Sequence, residues 1–329
     1  MTIRDDHALA ADLATEAGEL LLRVRERTGF DDPAALRAEG DRAAHVLLME
    51  SLSRLRPSDC VLSEEATREE RLDPRRLTAD RVWIVDPLDG TREFSERRAG
   101  PGGGSLRDHE GAVGSATMDT ERRAGPGGGS LRDHEGAVGS ATMDTERRAG
   151  PGGGSLRDHE GAVGSATMDT EEGRSDWAVH VALWERGRLT AGAVALPAQG
   201  RTLTTADPPK RPAHVKGRFR IAVSRTRPPE FVQKLAYLVG ADLVPIGSAG
   251  AKISAVLTGE VEAYVHAGGQ YEWDSAAPVA VALAAGVHAS RIDGSELIYN
   301  QADPSLPDIL VSLPELAASL LAGIRDLHR

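Results

Sequence analysis

The spacing of apolar residues in the first third of the chain predicts two helices followed by short buried strands. Between residues 7 and 27 the apolar positions recur every three or four residues, and Gly29 ends this pattern. A second helix is predicted over residues 33–56, where the leucines fall on one side. The apolar runs at 60–62 and 81–86 are short and predict buried strands.

The rest of the pattern divides the chain into two halves. Strands are predicted at 177–183 and 189–196, and a stretch rich in Pro and Lys at 206–217 marks a boundary. Beyond it strands and helices alternate: strand 219–224, helix 229–239, strand 243–245, helix 248–257, strand 262–266, helix 273–285, strand 309–312 and helix 314–327. The pattern predicts an α/β (α+β) chain with an N-terminal α+β half over 1–205 and a C-terminal α/β half over 206–329.

A block of 25 residues interrupts the first half. It begins at Glu96 and occurs three times without a change, so that the copies fill residues 96–170. A solenoid is one reading, but each copy has a GPGGG run and too few large apolar residues for neighbouring copies to stack. We therefore expect a disordered insertion that arose by tandem duplication of a DNA segment.

The composition limits the class of protein. The chain has 329 residues, a net charge of −11 and one cysteine, Cys60, which excludes an internal disulfide and a Cys-rich zinc site. The negative charge argues against a nucleic-acid polymer as partner, but it admits a small phosphorylated substrate, because a bound metal supplies local positive charge. No apolar run reaches the ~20 residues of a membrane span and the N-terminus lacks an apolar signal core, so we expect a cytoplasmic protein without membrane contact.

Three acidic segments carry the candidate chemistry. In Asp86-Pro-Leu-Asp89-Gly-Thr91 an apolar strand ends in a carboxylate, and the proline turns the chain so that both carboxylates can face one point. Two carboxylates and a backbone carbonyl offer hard oxygen ligands for Mg²⁺, and a helix opening at Gly90 suits a phosphate. Glu64 follows another strand end, and Asp274 opens an alanine-rich helix. Taken singly, the segments are also typical of a turn, a solvated acidic pair and a helix cap.

Together the three segments resemble the inositol monophosphatase-like, lithium-sensitive phosphatase superfamily. Its signature is Asp86-Pro-Leu-Asp89-Gly-Thr91 with the upstream Glu64-Glu65 and a late Trp273-Asp274, and the resemblance covers nearly all of the chain outside the repeats. Glu272 and the stretch 247–252 are similar to the 3′(2′),5′-bisphosphate nucleotidase branch, which acts in sulfate assimilation. The resemblance implies a layered α-β-α-β-α sugar-phosphatase-like fold and a phosphoric monoester hydrolase.

The resemblance also implies roles for individual residues. Two or three Mg²⁺ ions are expected to bind to Glu64, Asp86, Asp89, the carbonyl of Leu88, and Asp274. Asp41 and Thr91 are expected to form a catalytic pair that orients the attacking water. Substrate contacts are expected from Gly90, Thr91, Ser224, Arg225, Gly247, Ser248, Lys252 and Glu272.

Two departures from the family pattern bear on these roles. Where the family often has Thr-x-Ala-Asp, the chain has Ala38-Glu-Gly-Asp41, so the threonine that the family pattern links to a third metal ion is absent. Where nucleotidases commonly have Ser-x-Ser-His, the chain has Ser224-Arg-Thr-Arg227, which bears on contacts to an adenosine.

The expected reaction is Mg²⁺-dependent hydrolysis of adenosine 3′,5′-bisphosphate to AMP and phosphate by a metal-activated water, with inhibition by lithium. Inositol 1-phosphate and fructose 1,6-bisphosphate are the alternative substrates. A further alternative is an impaired enzyme whose repeat loop serves as an interaction segment, because the repeats begin five residues after Thr91. Since closure entropy rises slowly with loop length, we expect the fold to survive the insertion. The resemblance also admits a homodimer.

Overall fold

The computed structural model describes residues 5–98, 173–213, 217–226 and 228–327. Apart from positions 96–98, the repeats lie outside the described residues. The prediction that they are disordered therefore concerns residues outside the described part of the chain. Within the described ranges, no helix is both long and apolar enough to cross a membrane.

Two long helices open the fold, α1 (Asp6–Thr28) and α2 (Pro33–Leu55), and they confirm the helices predicted from the apolar spacing. Each begins after an aspartate whose carboxylate accepts hydrogen bonds from the first turn, Asp5 for α1 and Asp32 for α2. Gly29 ends α1 with a φ of 69°, a backbone conformation that glycine adopts at low cost.

The first sheet has five strands in the order β1-β2-β3-β4-β5. Their bounds are Cys60–Ser63, Arg81–Asp89, Ala178–Glu185, Arg188–Leu196 and Arg201–Thr204. β1 and β2 are parallel, and the other neighbours are antiparallel. The first four strands confirm the prediction, although β2 continues past Asp86. The sequence pattern gave no limits for three short helices: α3 (Arg68–Arg71), α4 (Arg75–Thr78) and α5 (Thr91–Ser95).

The second sheet has five strands in the order β7-β6-β8-β10-β9, with β7, β6 and β8 parallel. From β6 to β10 the bounds are Arg220–Ser224, Asp242–Ile246, Ala263–Tyr271, His288–Ser290 and Ser305–Ser312. The helices are α6 (Glu230–Val239), α7 (Ala249–Thr258), α8 (Glu272–Ala284) and α9 (Pro314–Leu327). These elements confirm the predicted alternation. The division of the chain at residue 206 stays a prediction, and this position falls between the two sheets.

The elements stack in five layers, α-β-α-β-α, as the resemblance implies. On one face of the first sheet, α1 and α2 bury a cluster that includes Trp83 and Val85. On the other face, Val82 and Ile84 pack with α7 and α8, whose far side is covered by the second sheet. Alternate residues of a strand face opposite sides, so a strand buried on both faces reads as one apolar run. The helices α6 and α9 close the outer face of the second sheet around Ile221.

The described residues at the start of the repeats and just after them lie next to each other. Arg97 and Gly173 form an antiparallel backbone bridge. The buried guanidinium of Arg25, in α1, donates to Phe94 O and to Arg174 O, both at 2.9 Å. The insertion therefore leaves and re-enters the fold at neighbouring points, which is the condition under which its length costs little stability.

Candidate active site

The end of β2 carries Asp86 and Asp89. Asp86 pairs with His180 of β3, and the register then shifts so that Asp89 pairs with Ala178. β2 thus has one residue more than β3 between the two pairs, which is a β-bulge. Residues three apart on a regular strand face opposite sides, so the bulge explains how the two carboxylates come together as predicted.

Gly90 follows in the left-handed region, with a φ of 91°, and α5 begins at Thr91. A Cβ on Gly90 would lie 2.8 Å from the Cβ of Ser248 and 3.2 Å from that of Trp177. Both the backbone conformation and the close approach therefore favour glycine here. The structure places Gly90 beside Ser248, so two of the predicted substrate contacts are neighbours.

Asp274, in the first turn of α8, joins these two residues. The ligand oxygens of Asp86, Asp89 and Asp274 lie within 4.8 Å of one another. Burial raises the pKa of Asp86 well above its usual range, and the nearby carboxylates of Glu64 and Asp89 raise it further. Burial and the charge of Asp89 raise the pKa of Asp274 to about 8, and burial also raises the pKa of Glu64. Carboxylates this close and this buried call for a compensating cation.

The donors of this acidic cluster fit a divalent cation. Asp86 is 1% exposed, and its Oδ2 has no hydrogen-bond partner among the described residues. Asp89 Oδ2 accepts a hydrogen bond from Gly250 N at 2.6 Å, which fixes this carboxylate against the start of α7. Carboxylate oxygens are the hard ligands that Mg²⁺ prefers. The cluster can therefore hold a metal ion, and Glu64 and the Leu88 carbonyl stay predicted ligands.

Asp41 lies in α2, which packs closely against α5. A Cβ on the neighbouring Gly40 would lie 2.7 Å from Cε1 of Phe94. Burial raises the pKa of Asp41 to about 7, with further contributions from Glu65 and Glu64. The structure thus brings Asp41 near Glu64 and Glu65, and its pairing with the threonine of the motif stays a prediction.

Gly247, Ser248 and Lys252 surround the start of α7. Asp176 Oδ2 accepts a hydrogen bond from Gly247 N at 2.7 Å, and Asp176 O accepts one from Ser248 N at 3.0 Å. Ser248 Oγ caps the helix by accepting from Ala251 N. Lys252 Nζ donates to Gly247 O, and burial lowers the pKa of this lysine. These contacts hold the helix start next to Asp89, and contacts with substrate stay predictions.

Ser224 and Arg225 lie where β6 ends. Arg225 Nη2 donates to Glu93 Oε1 at 2.9 Å and to Glu96 Oε2 at 2.6 Å. Glu93 belongs to α5, and Glu96 is the first residue of the repeats. The ion pairs therefore join the second sheet to the helix that follows the acidic motif, and substrate contacts of Ser224 and Arg225 stay predictions.

Glu272 has partners that the sequence did not indicate. Its side chain is 1% exposed, and its two carboxylate oxygens accept from Asn300 N at 2.6 Å and from Gln301 N at 2.7 Å. Burial raises the pKa of this carboxyl to about 7. These contacts favour a role in holding the 300–301 loop, and the predicted substrate contact finds no support in them.

His180 is a further residue of the site that the sequence reasoning missed. Its ring is fully buried, with Nε2 at 3.3 Å from Asp89 Oδ2 and Nδ1 at 3.0 Å from Trp273 O. A Cβ on Gly250 would lie 2.0 Å from Nε2, so the helix start packs directly on the ring. A histidine within the apolar run 177–183 was the signal that could have indicated it.

Comparison with known sequences gives a consistent result. A sequence profile of the inositol monophosphatase family matches residues 5–99 and 167–328. The 3′-phosphoadenosine 5′-phosphate phosphatase of Mycobacterium leprae is 42% identical, over 98% of this chain and 94% of its own length. The protein of the same name from Mycobacterium tuberculosis is 42% identical, over 95% of this chain and 91% of its own length.

Comparison with solved structures agrees at the level of fold. Inositol monophosphatase II of Staphylococcus aureus aligns with a TM-score of 0.61 at 17% identity, over 98% of this chain and 95% of that chain. The likeness confirms the layered architecture. Because the profile matches most of the chain and the mycobacterial relatives align over nearly all of it, the chain belongs to the inositol monophosphatase family.

Proposed function

We propose that this protein is a Mg²⁺-dependent phosphoric monoester hydrolase that converts adenosine 3′,5′-bisphosphate into AMP and phosphate. The observation that supports this substrate is the 42% identity, over nearly the whole length, to relatives that are named as phosphatases of this compound. The observation that supports the reaction class is the cluster of Asp86, Asp89 and Asp274, whose oxygens lie within 4.8 Å of one another.

Glu64, Asp86, Asp89, Asp274 and the Leu88 carbonyl would hold two or three Mg²⁺ ions. Bound Mg²⁺ supplies positive charge against the phosphate dianion and lowers the pKa of a water molecule. Two of these carboxylates are held in place, because Asp89 is hydrogen-bonded to the start of α7 and Asp274 accepts from Tyr271 N at 2.6 Å.

Asp41 and Thr91 would orient the attacking water. Asp41 suits this role because burial raises its pKa to about 7, so its carboxyl can accept a proton near neutral pH. Thr91 opens α5, where its hydroxyl and the free N–H groups of the first turn can contact the phosphate together with Gly90. Hydrolysis then leaves AMP with a free 3′-hydroxyl.

Inositol 1-phosphate is the second candidate substrate, since the family as a whole bears that name. The contacts expected from Ser224, Arg225, Gly247, Ser248 and Lys252 would distinguish a nucleotide from a sugar phosphate. Inhibition by lithium and a homodimer stay proposals that follow from the family resemblance, and a cytoplasmic location stays a proposal that follows from the sequence composition.

The test is phosphate release from adenosine 3′,5′-bisphosphate, inositol 1-phosphate and fructose 1,6-bisphosphate, with Mg²⁺ and with Mg²⁺ plus Li⁺. Asp89→Asn removes a charge from the cluster, and Asp80→Asn is the matched control at an exposed position, where the carboxylate pairs with Arg186. Fast lithium-sensitive release from the nucleotide, lost in Asp89→Asn alone, supports the proposal. Faster release from inositol 1-phosphate or fructose 1,6-bisphosphate would assign the protein to another branch of the family. No release from any of the three would favour an enzyme impaired by the insertion.

A further inference from the structure

Two predicted metal ligands, Glu64 and Asp274, lie on segments that are far apart in the chain. Glu64 follows β1, and Asp274 lies in the first turn of α8. Arg71, in α3, contacts both segments: its Nη1 donates to Glu64 O at 2.7 Å, and its guanidinium lies 5.7 Å from the ring centre of Trp273.

Arg76, in α4, continues this connection. It is 2% exposed, and its Nε donates to Arg71 O at 3.1 Å. Its Nη1 donates to Asn300 Oδ1 at 2.8 Å, and its Nη2 donates to Gln301 O at 2.7 Å. Asn300 returns a bond from Nδ2 to Arg76 O at 2.9 Å. A buried guanidinium is stable only with its donors satisfied, so these bonds fix the 300–301 loop against α4.

Glu272 is hydrogen-bonded to the same loop from the other side. Its carboxylate accepts the backbone N–H groups of Asn300 and Gln301, and its own N donates to Pro304 O at 2.8 Å. Glu272 lies two positions before Asp274 in the first turn of α8. Hydrogen bonds therefore run without a break from the carbonyl of Glu64, through Arg71, Arg76 and the loop, to the turn that carries Asp274.

We propose that Arg76, Asn300 and Glu272 form a latch that fixes the Glu64 segment relative to Asp274 and thereby sets the affinity of the site for a divalent cation. The inference rests on the proposed metal site. Mg²⁺ demands closely defined ligand positions, so a small shift of one segment weakens binding. Glu272 is then a positioning residue and not a substrate contact.

Asn300→Gly is the sharpest test of the latch. Asn300 has a φ of 61°, which glycine adopts readily, so the loop backbone can persist, and with it the hydrogen bonds that the N–H groups of residues 300 and 301 donate to Glu272. The substitution removes only the two side-chain bonds to Arg76. We expect calorimetric titration with Mg²⁺ to show weaker binding, by up to about 10-fold, since Asn300 acts through Arg76 and Arg71 and 10-fold is the lower end of the effect of removing a group that contacts a ligand directly. The KM for adenosine 3′,5′-bisphosphate at saturating Mg²⁺ should stay within about two-fold.

Glu272→Gln is the second variant, because it keeps the shape but replaces one of the two accepting oxygens by an NH₂ group that faces a loop N–H group. It should weaken Mg²⁺ binding in the same direction. Asp308→Asn is the control: it breaks a half-buried pair with Arg291, and no hydrogen bond among the described residues joins this pair to either ligand segment. It should lower Tm without changing Mg²⁺ affinity.

Unchanged Mg²⁺ affinity in Asn300→Gly and Glu272→Gln, with Tm lowered as in the control, would overturn the latch. A raised KM at saturating Mg²⁺, with affinity unchanged, would also overturn it and return Glu272 to the substrate site. Weaker Mg²⁺ binding in a chain that hydrolyses none of the three phosphates would support the latch and contradict the proposed function.

Discussion

His180 shows how one residue can support the acidic cluster without belonging to it. Its ring is fully buried between Asp89 and the carbonyl of Trp273, and Nδ1 carries the hydrogen because a carbonyl only accepts. We expect His180→Ala to lower kcat/KM by about 10-fold, since loss of the ring that packs against Asp89 and the start of α7 lets a ligand carboxylate move. Phosphate release at saturating Mg²⁺ measures this.

The matched control is His288→Ala, on β9, whose Nε2 lies 2.9 Å from Ser290 Oγ. It should keep kcat/KM within about two-fold, because that ring supports no predicted ligand. If His180→Ala lowered Tm but kept full activity, the ring would serve only to fill space.

The ion pair of Asp308 with Arg291 should make the free energy of unfolding depend on pH. Burial alone would raise its pKa, but hydrogen bonds from Arg291 and from Ile292 N outweigh burial and lower the pKa below 3.8. A lowered folded-state pKa gives stability that is present above the unfolded pKa and is lost as pH falls through the folded value. Urea unfolding should therefore show the largest difference between the wild type and Asp308→Asn at neutral pH. The difference should shrink below pH 3.8, and a constant difference would contradict this.

Among the elements, α5 depends on a residue from α1. Arg25 is 4% exposed and donates to the carbonyls of Phe94, Glu93 and Arg174. Its guanidinium also lies 5.3 Å from the ring centre of Trp177. We expect Arg25→Ala to lower the free energy of unfolding by about 3 kcal/mol, because it leaves buried carbonyls without donors. Calorimetry should show Tm lower by roughly 6–12 °C.

Arg23→Ala supplies the control on the same helix. Arg23 is exposed and lies 3.9 Å from Glu19, which is an ion pair of little worth. Its Tm should stay close to the wild-type value. Equal Tm values for the two variants would show that the hydrogen bonds of Arg25 add nothing to the stability of α5.

The sequence predicts elements well where periodicity is long, and less well where the fold decides. The two opening helices and the alternating second half follow from apolar spacing over ten or more residues. The end of β2 does not, because Pro87 lies in a bulge that only pairing with β3 creates. The edge strand β5 is short and half-buried, so it carries little apolar signal.

The site divides in the same way. Asp86, Asp89 and Asp274 were predicted because a motif and a helix start bear them, and the structure brings them together. The partners of Glu272 could not be predicted, because Asn300 and Gln301 lie 28 and 29 positions away and each offers a backbone N–H group, which leaves no mark in the sequence. Side-chain type indicates chemistry, whereas burial and backbone partners decide whether a carboxylate faces a ligand or a loop.

For the whole molecule, the layers explain why the acidic cluster survives a large insertion. Asp86 and Asp89 come from the first sheet, and Asp274 comes from a helix of the central layer. None of these elements contains a residue of the repeats, and Arg97, at the start of the repeats, forms a backbone bridge with Gly173, just after them. The cluster is therefore determined by the layers and not by the length of the connection.

Deletion of residues 97–171 tests this argument. If the repeats are disordered, as their composition predicts, closing a loop of about 75 residues costs about 2 kcal/mol more than closing a few residues, since each doubling adds about 0.6 kcal/mol. The deleted chain should therefore be more stable by about that amount, with kcat/KM unchanged within about two-fold. Urea unfolding and phosphate release measure the two effects. A less stable chain would show that the repeats pack against the fold, and a faster enzyme would show that they hinder the helix after Thr91.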